Sequence, residues 1–149
     1  QADFKEPAQK MADAGKLFMY HNHHFEFAEV NGKLIMEHLM EMFSPEEMGF
    51  TLDTYWLQAA GCDVVQWVNK LAGRIPCVHL KDMDIVFVGN DIKTVFAPVG
   101  EGNINFPAIL EAMKAGGTKY LLVEQDSCLE SPFTCLEKSY DYLNGLGYK

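Results

Sequence analysis

Short apolar segments alternate with helical segments along this chain, and that alternation limits the fold more than any other feature of the sequence. Four apolar segments have the length and composition of strands: residues 17–21, 48–53, 75–82 and 120–126. Strands this apolar, separated by helices, are typical of a parallel sheet covered by helices. The predicted fold class is therefore α/β, either half of an eight-stranded (β/α) barrel or a small doubly wound sheet.

Helices predicted from composition, caps and glycine stops fill most of the remaining chain. They cover residues 2–16, 34–43, 64–73, 106–117 and 131–148. One insert, residues 83–103, departs from the pattern because it follows the third strand and contains the turn sequence VGND, which predicts a hairpin. A long elaborated loop at the C-terminal end of a strand is usually functional.

Each predicted strand carries a metal-competent side chain where its apolar run turns polar. These side chains are His21, Asp53, His79 and Glu124. In α/β barrels and open parallel sheets alike, ligands gather at the C-terminal ends of the strands. A single strand-end Asp is more often a helix cap, and a single His in an apolar strand is more often a core residue. One such residue in every strand favours a metal site instead.

Two imidazoles and two carboxylates suit a borderline divalent ion such as Mn²⁺, Zn²⁺, Co²⁺ or Fe²⁺. With four protein ligands, an octahedral ion keeps two positions open, and these could hold a carbonyl oxygen and the neighbouring hydroxyl of a sugar. An ion in that position polarises the carbonyl and stabilises the enediolate that forms when the adjacent proton is removed.

Charge and cysteine usage exclude several other classes of function. The 149 residues, a length typical of one domain, carry a formal net charge of −9, which opposes binding to nucleic acid or to anionic lipid. The four cysteines form no CxxC pair, so a reducing compartment is expected. No signal peptide or membrane-spanning run is visible, which predicts a cytoplasmic protein. The chain starts at Gln1, so a targeting segment upstream stays an open alternative.

Five stretches, in this order and spacing, resemble a known superfamily: YHNHHFEF, TLDTYW, CVHLKD, PVGEGNINFPAIL and LLVEQD. They are similar to the sugar phosphate isomerase/epimerase superfamily, also called xylose-isomerase-like TIM barrels, and most similar to its inosose dehydratase-like and 3-keto-glycoside-processing branch. The resemblance covers nearly the whole chain but only the C-terminal half of the barrel. It implies one domain, residues 1–149, with strands five to eight present and the first four βα units absent.

A half barrel leaves two sheet edges open, which is an unfavourable state. The resemblance therefore implies a fragment, a truncated gene product, or a half that pairs with another half barrel or forms a homo-oligomer. It also places the four metal positions of the family on His21, Asp53, His79 and Glu124. Mn²⁺ is the expected ion, with Zn²⁺, Co²⁺, Mg²⁺ and Fe²⁺ as alternatives.

The first metal position separates two kinds of chemistry in this superfamily. Sugar 3-epimerases carry Glu there and use it with the last Glu as a pair of bases, whereas this chain has His21. The resemblance is thus to dehydratases and eliminases, in which the second histidine, here His23, can act as base. Two residues apart on an extended segment, His21 and His23 share a face, and His24 points away from it. Glu124 is the alternative base.

Further residues are predicted to contact the substrate, and each has a structural alternative. Lys81 is predicted to bind a hydroxyl or stabilise an oxyanion; a rim salt bridge with Asp82 is the alternative. Trp56 is either a stacking wall for a sugar or part of helix packing, and Glu101 either binds substrate or shapes a turn. Gln125 either binds sugar or fixes Glu124. Glu26 resembles a substrate-contacting Glu of the epimerases.

The predicted function is a divalent-metal-dependent isomerase, epimerase or lyase. It would remove the proton next to the carbonyl of a sugar, cyclitol or keto-glycoside. The alternative is a half barrel without catalysis, such as a sugar-binding remnant. Endonuclease-type members of the superfamily use several zinc ions, which need more His and Glu ligands than this sequence offers.

Overall fold

The computed structural model describes residues 2–148, which form eight strands and six α-helices. The strands are β1 (Phe18–His21), β2 (Glu29–Val30), β3 (Lys33–Leu34), β4 (Met48–Asp53), β5 (Cys77–Leu80), β6 (Asp82–Val88), β7 (Asp91–Ala97) and β8 (Tyr120–Val123). The helices are α1 (Ala2–Asp13), α2 (Ile35–Met42), α3 (Thr54–Ala59), α4 (Val64–Lys70), α5 (Phe106–Ala115) and α6 (Pro132–Gly145).

One parallel sheet organises the fold, and its strand order follows the chain: β1, β4, β5, β8. A doubly wound sheet reverses its strand order at a switch point, whereas the wall of a (β/α)₈ barrel adds each strand beside the previous one. The unreversed order selects the barrel, so the prediction of an α/β half barrel with parallel strands is confirmed. Within residues 2–148, no helix has both the length and the apolar character needed to cross a membrane.

The core lies around the two central strands. Phe50 and Leu52 of β4 and Val78 and Leu80 of β5 are completely buried. The edge strand β8 differs, because alternate residues of it face outward: Tyr120 is 65% exposed and Leu122 is 46% exposed. The sheet is therefore well packed at its centre and open at this edge.

Three predicted strands are longer than the observed ones, the first of them by one residue. The segment 75–82 divides into β5 and the start of β6, and the last strand ends at Val123, so Glu124 follows the strand. Sequence analysis also missed α3, which begins directly after β4. The signal was present, because the Asp53 carboxylate accepts a hydrogen bond from the Trp56 amide as a helix N-cap does.

The insert forms the predicted hairpin, in which β6 pairs with β7 in antiparallel register across the Gly89–Asn90 turn. Its base is anchored by the fully buried carboxylate of Asp82. One oxygen of Asp82 accepts from the amides of Met83 and Ile104, and the other accepts from those of Gly100 and Gly102. A single side chain thus joins both ends of the insert.

Candidate metal centre

Four potential ligand atoms converge at the C-terminal edge of the sheet. One atom from each of the four side chains predicted to bind metal lies within 4.8 Å of all the others: His21, Asp53, His79 and Glu124. The register explains this, because Asp53 is paired with His79, and His79 is paired with Leu122, two residues before Glu124. Residues two apart on a strand point to the same face.

Asp53 lies at the centre of the cluster and is completely buried. Its Oδ2 is 3.2 Å from His21 Nε2 and 3.8 Å from His79 Nδ1, while its Oδ1 accepts from the Trp56 amide at 3.2 Å. Burial alone would raise the pKa of Asp53, but the interactions with His21 and His79 and the charge of Lys81 lower this pKa well below its usual range. The carboxylate is therefore ionised and suited to a cation.

The pair His79 and Glu124 completes the donor set. His79 Nδ1 is 3.0 Å from Glu124 Oε2, yet among the described residues this buried nitrogen has no partner in hydrogen-bond geometry. Its interaction with the Asp53 carboxylate raises the pKa of His79, against the opposing effect of burial. An imidazole nitrogen directed at two carboxylates without a proper hydrogen bond fits coordination of a divalent ion. These four residues could hold such an ion.

Lys81 is only 1% exposed and lies against the cluster. Its Nζ is 3.1 Å from Asp53 Oδ2, 2.8 Å from Glu124 Oε2 and 2.9 Å from Asp126 Oδ1. Burial would lower the pKa of Lys81, but these carboxylates raise it above its ordinary value, so the side chain stays protonated. The alternative of a salt bridge with Asp82 is wrong, because Asp82 is occupied by the amides of the insert.

Beside the ligands, aromatic rings line one side of the site. The ring of His23 lies 4.8 Å from that of His21, as their shared face predicted, and stacks on Phe25 at 5.5 Å. Trp56 lies 5.3 Å from His23 and 6.1 Å from Phe96. We refer to His23, Phe25, Trp56 and Phe96 as the aromatic wall. His24 is exposed, but its ring also lies against this group, 5.3 Å from Trp56 and 6.0 Å from Phe25, so it does not point away from His23 as the sequence predicted.

Sequence analysis missed two members of the aromatic wall. Phe25 lies in the histidine-rich loop, where the alternating pattern H-F-E-F could have indicated it. Phe96 comes from the end of β7 in the hairpin, and only the fold brings it within 4.2 Å of the Tyr55 ring beside Trp56. Trp56 packs among these rings, which agrees with a role in helix packing. A role in stacking on a sugar stays a prediction.

Glu26 does not reach the open side of the site. It is completely buried, and its Oε1 accepts from the Tyr20 hydroxyl at 2.6 Å while its Oε2 accepts from the His23 amide at 2.8 Å. Burial and the neighbouring Glu26 carboxylate raise the pKa of Tyr20. The structure corrects the prediction of a substrate contact here, because both oxygens are occupied and neither is exposed.

Glu101 and Gln125 lie at the base of the hairpin. Glu101 accepts from Lys138 at 3.2 Å, and Gln125 donates to the carbonyl of Ser127 at 3.1 Å. Both line a cavity of about 160 Å³ that also includes Leu129. Among the described residues, neither makes a polar contact with the four ligands, so their role in substrate binding stays a prediction.

Comparison with known proteins identifies the family of this chain. The sequence matches the xylose isomerase-like TIM barrel family over residues 2–143. The chain belongs to this family. Inosose dehydratase of Geobacillus thermodenitrificans, a similar protein, is 30% identical over 89% of this chain and 48% of that protein. Inosose dehydratase of Mesomycoplasma hyopneumoniae is 27% identical over 97% of this chain and 55% of that protein.

Among solved structures, a sugar phosphate isomerase/epimerase of Parabacteroides distasonis superposes with a TM-score of 0.73. It is 28% identical and is matched over 95% of this chain and 52% of that one. The chain thus spans about half the length of its relatives in the xylose isomerase-like TIM barrel family. The resemblance to the inosose dehydratase-like branch is confirmed.

Proposed function

We propose that this protein is a divalent-metal-dependent enzyme that removes the proton next to the carbonyl of a sugar, cyclitol or keto-glycoside. Loss of water is the outcome we propose, in preference to epimerisation. The supporting observation is the convergence of His21, Asp53, His79 and Glu124 within 4.8 Å, with the His23 ring alongside. Similarity to proteins named inosose dehydratase supports the substrate class.

The ion would be held by His21, Asp53, His79 and Glu124, with Mn²⁺ as first choice and Zn²⁺, Co²⁺, Mg²⁺ or Fe²⁺ as alternatives. Once bound, it supplies Lewis-acid polarisation of the substrate carbonyl. Lys81 keeps the two ligand carboxylates ionised and fixes Glu124 from one side. The Lys81 ammonium is buried against three carboxylates, so its proposed role is to orient the ligand side chains. To contact an oxyanion directly, it would have to break its ion pair with one of these carboxylates.

His23 is the proposed base. Its imidazole is close to the potential ligands without being one of them, and histidine is the side chain that most often acts as a general base. His23 takes the proton from the carbon next to the carbonyl, and a carbon–carbon double bond forms as the bond to the β-hydroxyl breaks. The leaving hydroxyl takes up a proton from the His23 imidazolium and departs as water, which returns His23 to its neutral form. The aromatic wall offers Trp56 as a surface for the apolar face of a sugar ring.

A symmetrical pair of carboxylate bases fits this site poorly. Asp53 is completely buried and serves its neighbours, whereas the Glu124 side chain is 43% exposed. Glu124 is therefore the one ligand carboxylate with surface that faces a substrate, and it is the alternative base. This asymmetry supports elimination with His23 over a two-carboxylate epimerisation.

Turnover would need more of a barrel than these residues form. We propose that the chain works as one half of a (β/α)₈ barrel, completed by further βα units or by association with a second half. A sugar-binding half barrel without turnover is the second candidate, and the exposed edge at Tyr120 and Leu122 of β8 favours it for the isolated chain.

The test measures metal binding and turnover separately. Calorimetric titration with Mn²⁺ should show one site per chain, and the complex should be assayed with an inosose by following loss of water in mass spectra. The assay should be repeated after addition of the separately expressed N-terminal half of the Geobacillus relative. Metal binding without turnover in either case would support the sugar-binding alternative, and no metal binding would overturn the proposal.

His23→Gln provides the matched variant for the proposed base. It should bind Mn²⁺ with unchanged affinity, because His23 is not among the four ligands, but it should lose most of the turnover. General base catalysis by a positioned side chain contributes about 10²–10⁴-fold, so a loss in that range is expected. Retained turnover in this variant would transfer the role of base to Glu124.

A further inference from the structure

We infer that Asn22 and Glu26 are positioning residues for His23, and that Asn22 also couples the position of His23 to that of Asp53. This inference rests on the proposed function, in which His23 removes the proton. The two residues flank His23 in the sequence, are both completely buried, and bind the two main-chain polar groups of His23 from opposite sides.

Asn22 connects two neighbouring strand ends. Its Oδ1 accepts from the amide of Asp53 at 3.0 Å, and its Nδ2 donates to the carbonyl of His23 at 3.3 Å. Asp53 provides a ligand atom and also begins α3, so its main chain is fixed relative to the metal centre. Through Asn22, the carbonyl of His23 is held at a set distance from the backbone of a ligand residue.

Glu26 holds the other main-chain group of His23. Its Oε2 accepts from the His23 amide at 2.8 Å, and its Oε1 is fixed by the Tyr20 hydroxyl at 2.6 Å. Tyr20 belongs to β1, one residue before the ligand His21. The loop that carries His23 is therefore tied back to the strand from which it leaves, through two hydrogen bonds in series.

The His23 ring itself depends on this support. In the part of the chain that the structure describes, its close side-chain contacts are the rings of His21, Phe25 and Trp56, and no ring nitrogen of His23 has a hydrogen-bond partner. Stacking fixes a ring less strictly than hydrogen bonds do. The direction of the imidazole is then set mainly by where the backbone of His23 is held.

Burial of Asn22 and Glu26 is costly unless each polar atom is bonded, and apolar residues would fill the same space without that cost. Their hydrogen bonds all serve the loop around His23 or the start of α3. A displacement of a catalytic group by about 1 Å can reduce turnover by about 10²-fold, so precise support of the base has a large effect on rate.

The test follows the His23 ring by NMR in protein labelled with ¹³C at histidine. Stacking on Phe25 shifts the ring C–H signals of His23, and the same signals shift again when Co²⁺ is added. In Glu26→Ala and in Asn22→Ala, we expect the His23 signals to move toward the position of an unstacked histidine. The Co²⁺-shifted signals of His21 and His79 should stay in place in Glu26→Ala. Tyr20→Phe should give a smaller change in the same direction.

Two control variants separate positioning from general loosening. Glu26→Gln has the same shape and can accept from the His23 amide while donating to the Tyr20 oxygen, so it should restore the wild-type signals. Ser139→Ala removes another buried pair of hydrogen bonds, to Val99 and Cys135, and should leave the His23 signals unmoved. Unmoved signals in Glu26→Ala and Tyr20→Phe, or equal movement in Ser139→Ala, would overturn the inference.

Kinetics add a second readout in whichever assembly turns over substrate. Glu26→Ala should lower kcat about 10- to 100-fold while KM and Co²⁺ affinity stay within about twofold of wild type, because substrate and ion are held by other residues. If the proposed function is wrong, Co²⁺ should cause no shift of the His21 and His79 signals in the wild-type protein. The shift of the His23 signals that is caused by stacking on Phe25 would still test the inference in that case.

Discussion

Asp53 divides its two carboxylate oxygens between two tasks. Oδ1 caps α3 through the Trp56 amide, and Oδ2 faces His21, His79 and Lys81. The same residue thus begins a helix and supplies the most buried of the four potential ligand atoms. A helix cap and a metal ligand are often treated as competing interpretations of a strand-end aspartate, but here the two are compatible because the two oxygens face different ways.

Asp53→Asn separates these tasks. The amide oxygen can still cap α3, but the amide nitrogen replaces the oxygen that faces the histidines. We expect Mn²⁺ affinity to fall by at least about 100-fold, the upper range for loss of an outer-sphere partner, with the helical circular dichroism signal retained. Asp63→Asn is the control, since Asp63 caps α4 in the same way through Gln66. Unchanged Mn²⁺ affinity in Asp53→Asn would contradict the assignment.

Lys81→Met tests how the buried carboxylate is compensated. Removal of one partner of a buried ion pair costs about 3 kcal/mol, so the variant should unfold at a lower urea concentration in the absence of metal. Mn²⁺ should raise its melting temperature more than that of the wild type, because the ion neutralises the same oxygens. Lys138→Met is the control: its partners Glu101 and Glu130 are exposed, so this variant should unfold at a urea concentration close to that of the wild type.

The sequence indicated the four potential ligands that converge in the structure, because each lies where an apolar run ends, which is a local signal. It did not indicate the partners of Lys81 or Glu26. Lys81 and Asp82 are adjacent and oppositely charged, but adjacent residues on an extended chain point to opposite sides. The partner of Lys81 at Asp126 lies 45 residues away, and no local pattern connects them.

At the scale of elements, the insert is fixed by one buried side chain and two close backbone approaches. A Cβ at Gly102 would lie 2.4 Å from the Oδ1 of Asp82 and 2.4 Å from the carbonyl of Met83. At Gly100, where φ is +94°, it would lie 2.3 Å from the ring of Tyr142. The glycines in the sequence VGEGN are therefore needed for the loop to approach Asp82 and α6.

Gly102→Ala should destabilise the fold by about 1–3 kcal/mol, since overpacking against buried neighbours has costs of that size. Gly145→Ala is the control on the last residue of α6, where a Cβ meets nothing within 4 Å. It should be neutral or stabilising by up to about 1 kcal/mol, the difference in helix propensity. Urea unfolding measures both, and equal midpoints for Gly102→Ala and wild type would refute the close approach.

Element types were largely predictable, whereas boundaries and the short helix α3 were not. The alternation of apolar runs and caps identified the four sheet strands and five of the helices. The division of residues 75–82 between β5 and β6 depends on Asp82 turning to the amides of the insert, and those amides come from residues as distant as Ile104. Packing of distant segments decided the boundary.

At the scale of the whole molecule, apolar residues remain exposed along β8 and α6. Phe133, Leu136 and Tyr140 of α6 are 83%, 49% and 59% exposed, beside the exposed Tyr120 and Leu122. A cavity of about 1130 Å³ lies between β8, α5 and α6. Exposed contiguous apolar surface of this kind marks contact with another protein surface or a tendency to associate.

The isolated chain should therefore self-associate in a concentration-dependent manner, as measured by sedimentation velocity. The double variant Leu136→Glu with Tyr140→Lys places an i,i+4 ion pair on α6 and should shift the distribution toward monomer without loss of helix. Glu137→Gln, on the exposed side of the same helix, is the control and should behave as wild type. A monomeric wild type at all concentrations would show that this surface does not associate.

Because strand order in the sheet equals order in the chain, additional βα units can extend the sheet at either edge. A βα unit encoded upstream would be laid beside β1, and one encoded downstream would be laid beside β8. Neither addition requires the existing strands to be re-threaded. Duplication or fusion of coding sequence at either end would thus add strands to the sheet in register. The barrel would close only where its first and last strands pair.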